Sequence, residues 1–73
     1  MDQTFGQKRV KADFNPDKNE TVDQIKNKSA ELIDLIDSMA ISDCTGERLR
    51  LLKLSTDQIE IACMLAVKAN FTK

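Results

Sequence analysis

From Val22 to Ala40 the side chains Val22, Ile25, Ser29, Leu32, Ile33, Ile36, Met39 and Ala40 recur at steps of three and four. A strand would alternate every second residue, so this spacing predicts an amphipathic α-helix of about five turns. Thr21-Val22-Asp23-Gln24 has the form of a capping box, and Asp23 suits the positive end of the helix dipole. The helix should fray near Ser42 and Asp43, with Asp43-Cys44-Thr45-Gly46 as the connection. A second helix is expected from there to about Asn70. Ser55-Thr56-Asp57-Gln58 resembles another capping box, but Leu51, Leu52 and Leu54 join Ile59, Ala62 and Ala66 without a change of phase, so the helix should continue through it. The expectation is an all-α chain with a single domain. Residues 1–20 form an N-terminal arm and turn, and residues 21–73 a two-helix antiparallel hairpin, with helix one about 21–41 and helix two about 46–70.

The second helix is apolar over too much of its circumference. At ~100° per residue, Leu52, Ile59, Ala62, Ala66 and Ala69 form one band, with small residues suited to close helix approach. Leu51, Leu54, Ile61 and Leu65 form another, and Cys63 and Val67 widen the arc. One hairpin partner covers only about a third of a helix surface, a stripe of roughly 100°. The surplus must be covered by other copies of the chain or by a different protein, or it stands as an exposed sticky patch. A chain of 73 residues also falls in the range where a single core needs outside support. Disulfides are not expected, because Cys44 and Cys63 follow no secretory framework and the N-terminus is polar and charged. Zinc is not expected, because histidine and C-x-x-C are both absent. Assembly into a homo-oligomeric helical bundle is the support that is left. No apolar run approaches the ~20 residues of a membrane span, and a cytoplasmic protein with reduced thiols is the expectation.

A net charge of −1 hides a segregation. Residues 1–28 carry six basic and five acidic groups, residues 29–47 five acidic and no basic ones, and residues 48–73 five basic and two acidic. This is either ordinary scatter on a solvated surface or an anion site built from the two ends of the chain. A basic stripe and a high pI, the footprint of a long nucleic acid, are missing at pI ≈ 5.3.

Residues 1–13 show no sustained period. They should form an arm with at most a short helix or extended piece, carrying the cations Lys8, Arg9 and Lys11. Asn15-Pro16-Asp17 marks a turn, since the residue before proline is pushed out of helical geometry. Lys26 is the anomaly. Val22, Lys26, Ala30 and Ile33 are neighbours on one flank of helix one, so this lysine stem lies in the apolar stripe. Its methylenes can pack while the ammonium is led to water. Alternatively, the charge sits at the edge of an interface one turn from a helix N-terminus, where backbone donors also favour a phosphate. Phe14 is likewise either a plug on the hairpin or a flat surface for a base to stack on.

An enzyme is hard to build from these residues. Without histidine the usual general base is missing, and nucleophile-elbow, phosphate-loop and zinc-helix motifs are absent. Cys63 falls within the apolar arc as a core residue. Nothing marks Cys44 as activated, and Glu31 and Asp34 lie on an outer face.

Three fragments taken in order add a resemblance: Phe14-Asn15-Pro16, the helix VDQIKNKSAELIDLI, and RLLKLSTDQIEIACMLAVKA. Together they resemble the small phage proteins that sequester the cyclic oligonucleotide signals of bacterial CBASS immunity, whose helical hairpin is similar to one in a Thoeris anti-defence sponge. The resemblance covers about residues 10–70. It implies non-catalytic binding without a cofactor, by a homo-oligomer, typically a hexamer. Cyclic dinucleotides are held between protomers, and in some members cyclic trinucleotides are held at separate sites near a threefold axis. Carried over by position, Phe14 matches the stacking aromatic and Lys26 the phosphate-binding residue. Arg50 matches the basic residue at the start of helix two, with Arg48 as a nearby substitute. Asn15 and the arm cations Arg9 and Lys11 complete the candidate ligand-binding set. Phe14 and Asn15 stand where relatives usually have tyrosine and histidine, the loop to Lys26 is shorter, and Leu65 replaces a frequent tryptophan. These departures bear on ligand preference. Two other classes remain open: a protein-interaction module using the surplus apolar arc, and a nucleic-acid-binding regulator using Lys8, Arg9 and Lys11.

Overall fold

The computed structural model describes residues 2–40 and 44–73. It is all-α, with three helices and no strand among the described residues: α1 (Phe5–Val10), α2 (Glu20–Asp37) and α3 (Gly46–Asn70). The expected fraying at Ser42 and Asp43 lies outside the described residues.

The arm contains a real helix. Thr4 caps α1 by a full capping box, its hydroxyl accepting from the Gln7 amide while Gln7 Oε1 accepts from the Thr4 amide. Its other end is closed by a Schellman motif: Lys11 adopts φ 53°, Lys11 N donates to Lys8 O and Ala12 N to Gln7 O. A helix this short cannot stand alone; α2 holds it in place. At the crossing Gly6 N donates to Asp34 Oδ1 at 2.7 Å, and the two backbones come so close that no side chain fits between them.

α2 begins at Glu20, capped by Asn19 rather than by the expected Thr21. Asn19 Oδ1 accepts from the Val22 amide. The turn decides this, because Asn15 is hydrogen-bonded to Asn19 and fixes it in the capping position, and asparagine is at least as good a cap as threonine. The helix also stops at Asp37, short of residue 41. Its last turn carries no basic residue, while Asp34 and Asp37 oppose the negative end of the dipole, and Met39 and Ala40 close with tighter bonds to Ile36 O and Asp37 O. α3 runs unbroken through Ser55 and Thr56.

α2 and α3 lie side by side in opposite directions. Val22 and Lys26 sit near Val67, while Ile36 sits near Leu52. The core is Val10, Ala30, Ile33 and Cys63, with Ala12, Ile25, Ile59 and Val67 packed against it. Ile33 is fully buried, at 0 % exposure. The inward ridge of α3 passes through Leu52, Thr56, Ile59, Cys63 and Val67, while Ala62, Ala66 and Ala69 of the alanine band stay exposed, Ala62 and Ala66 along a groove with Ile25 and Leu32 of α2. The result is a slab of 44 × 30 × 12 Å with a radius of gyration of 13.5 Å. A compact 73-residue chain would give about 11 Å. Its accessible surface is 5597 Å², against roughly 4,500 Å² for a globular protein of this mass. The excess is on the order of 1,000 Å² by the same scaling. Leu35, Leu51, Ile61, Met64 and Leu65 are all exposed.

The α1–α2 crossing gives a direct test. A Cβ at residue 6 would stand 2.2 Å from Ala30 O, a main-chain atom that cannot move aside. Gly6→Ala should therefore cost about 1–3 kcal/mol in urea denaturation, as overpacking does, and open residues 2–18 to protease. An unchanged midpoint would mean α1 is not seated on α2 as described.

Candidate functional site

The site starts with a strained turn. Lys11 and Lys18 both have positive φ, 53° and 52°, a left-handed conformation that costs a non-glycine residue roughly 1–2 kcal/mol. Between them, Phe14 N donates to Lys11 O and Lys18 N to Asn15 O, closing two successive turns around Pro16. Something must hold this segment down. Asn15 does part of it: its Nδ2 donates to Asn19 O and Asp23 Oδ1, both at 2.8 Å, and its Oδ1 accepts from Asn19 N at 3.1 Å.

Lys26 does the rest. Its side chain runs up the apolar flank of α2 and is only 7 % exposed. Its Nζ donates to Lys11 O at 3.0 Å and Phe14 O at 2.5 Å, and it lies 5.4 Å from the centre of the Phe14 ring. The ammonium thus takes the place of water for two carbonyls that the strained turn directs inward. An ammonium has three donors, so one N–H remains for a further acceptor. The Phe14 ring beside it is 63 % exposed.

Phe14, Asn15 and Lys26 line one cleft of about 170 Å³, together with Pro16, Asp17, Val22, Val67 and Phe71. Phe71 follows the periodic run of α3 and carries no sequence signal beyond being aromatic. Arg9, Lys11 and Lys26 line an adjoining depression with Glu60 and Met64. Arg9 itself is committed: its Nη2 meets Asp57 at 2.8 Å and its Nε meets Glu60 at 2.5 Å, tying α1 to α3. The Glu60 hydrogen bond, then that to Asp57, raises the guanidinium above its ordinary pKa and keeps it charged. Its guanidinium also lies 5.5 Å from the Phe5 ring centre.

Arg48 and Arg50 are elsewhere. They stand at the opposite end of α3, with Arg50 seventeen residues before Val67, about 25 Å along the axis. Arg50 is bidentate to Glu47, which lowers the Glu47 pKa and raises its own, and Arg48 donates to Met39 O. Within one chain the sequence-derived candidates therefore form two groups, one around Phe14 and one around Arg50. Among the described residues no cluster of three or more histidine, cysteine or acidic side chains could hold a metal, and no helix is long and apolar enough to cross a membrane.

Compared with protein families, with curated proteins and with solved structures, the chain gives no significant match.

Lys26→Met keeps the buried stem and removes the charge, leaving the Phe14 carbonyl without its donor while Lys11 O keeps the Phe14 amide. An orphaned group of this kind costs about 1–3 kcal/mol. Stability should fall by roughly that amount, and hydrogen exchange should accelerate selectively at the amides of residues 11–18. Equal protection of these amides in both proteins would contradict the clamp.

Proposed function

We propose that the chain is a phage-encoded sponge that binds cyclic di- or trinucleotide immune signals and holds them uncleaved, thereby blocking CBASS effector activation. The observation that carries this reading is the pairing of Phe14 with Lys26: an exposed flat ring above a buried ammonium that retains one donor, in a cleft with largely apolar walls. A ring of this kind stacks on any base, and the remaining N–H of Lys26 gives a phosphate a charge-assisted partner.

The cleft is smaller than the ~300–1,000 Å³ that encloses a whole small molecule. It takes one part of a ligand, and the rest must rest against another surface. A second copy supplies that surface in this reading. The excess accessible area of about 1,000 Å² is comparable to the ~800 Å² that each partner gives to a standard interface, and the exposed leucines of α3 are suitable material for it. Association into a hexamer or a similar closed ring covers them and sets clefts at the seams. Arg48 and Arg50, far from Phe14, belong in this reading to a separate trinucleotide site, at which Arg50 must leave Glu47.

The exposed face of α3 supports a second reading, a module that binds a host protein helix. A regulator gripping nucleic acid through the arm has less support, because Arg9 is held by Asp57 and Glu60.

Calorimetry with a panel of cyclic di- and trinucleotides tests the proposal. At least one should bind stoichiometrically and be recovered intact after heating. Phe14→Ala, which alters an exposed side chain, should weaken binding about 5- to 140-fold, the loss of one stacked base. Hydrolysed ligand, or no binding across the panel, would refute the sponge.

A further inference from the structure

The chain has three phenylalanines and no tyrosine or tryptophan. Phe5, 43 % exposed, has the Arg9 guanidinium over its ring. The other two, Phe14 and Phe71, come from positions 57 residues apart in the chain and line the same cleft. Both are more than half exposed, Phe71 at 55 %.

Phe71 is placed there by the way α3 ends. Its amide donates to Lys68 O at 3.1 Å, Thr72 N donates to Ala69 O at 3.1 Å, and the Thr72 hydroxyl turns back to Lys68 O at 2.8 Å. These bonds tighten the last turn, and residue 71 lines the cleft together with Phe14, Val22 and Val67. An exposed aromatic gains little from this position when the cleft is empty. It gains once something flat occupies the cleft, because a ring between two aromatic walls has both of its faces removed from water.

We propose that Phe71 is the second stacking wall of the cleft, so that one base of the bound ligand is sandwiched between Phe14 and Phe71 while its phosphate meets Lys26. This inference rests on the reading of the cleft as a cyclic-nucleotide site. The sandwich explains how a shallow cleft whose wall side chains offer few hydrogen-bonding groups can hold a polar ligand: the Asn15 amide is already bonded to Asn19 and Asp23, so the grip comes from the base faces.

Three variants test it, using whichever cyclic dinucleotide the wild-type chain binds. Phe71→Ala should weaken binding about 5- to 140-fold, the range for one lost stacking contact. Phe71→Leu keeps an apolar side chain without a flat face and should lose a similar factor. Phe71→Trp introduces a single indole into a chain that has none, and its fluorescence should be quenched saturably, with the midpoint of the calorimetric titration. Circular dichroism should show unchanged helix content in all three, since Phe71 lies beyond α3. Wild-type affinity in Phe71→Leu, or an indole whose emission ignores bound ligand, overturns the sandwich and leaves the site itself standing. A wild-type chain that binds no cyclic dinucleotide overturns the underlying reading instead.

Discussion

Three helices laid in one layer give each helix few neighbours, and a slab 12 Å through its thinnest dimension encloses only a small core. Most features of the molecule follow from that constraint. Among the described residues only Val10, Val22, Ala30, Ile33 and Cys63 are buried apolar residues, and Ile33 is the one among them with no exposure. Apolar side chains that a thicker protein would bury remain on the two broad faces. In the proposed reading this exposed apolar surface is what meets other copies of the chain.

With so little core, polar contacts hold the elements in register. Gly6 to Asp34 seats α1 on α2, Arg9 to Asp57 and Glu60 ties α1 to α3, and Lys26 to Lys11 and Phe14 fastens the intervening turn. The last of these is unlike the others because its charge is buried and its acceptors are main-chain carbonyls in a segment flanked by two left-handed lysines. Strained backbone survives only where its surroundings over-determine it, and it gathers at sites of function. Here the strain presents Phe14 to solvent directly above the ammonium. One side chain therefore serves the fold and the cleft, and changing it disturbs both.

Much of this was legible in the sequence. The periods of α2 and α3 show which segments are helical, and the surplus apolar band of α3 reappears as exposed Leu51, Leu54, Ile61 and Leu65. Lys26 stands out as a charge inside an apolar flank. Its partners do not, because a carbonyl leaves no mark in a sequence and the arm reaches α2 only through tertiary packing. α1 was hidden for a related reason. Six residues are too few to show a period, although Thr4 and Gln7 at capping-box spacing were a signal that could have been read. The ridge of α3 that packs inward was also hard to see: Thr56 is polar and yet buried, while the alanines that look like a packing stripe stay exposed. Phe71 lies beyond the periodic run, so nothing in the chain connects it with Phe14.

In the proposed assembly the uncovered faces of the layer close against other copies, and the clefts at Phe14 are completed there. Sedimentation equilibrium at micromolar concentration tests it most directly. One closed species is expected, with a mass at least twice and an integer multiple of 8.2 kDa, a hexamer being the expected size. A stable species of 8.2 kDa that persists as concentration rises, with its leucines still exposed, would contradict it.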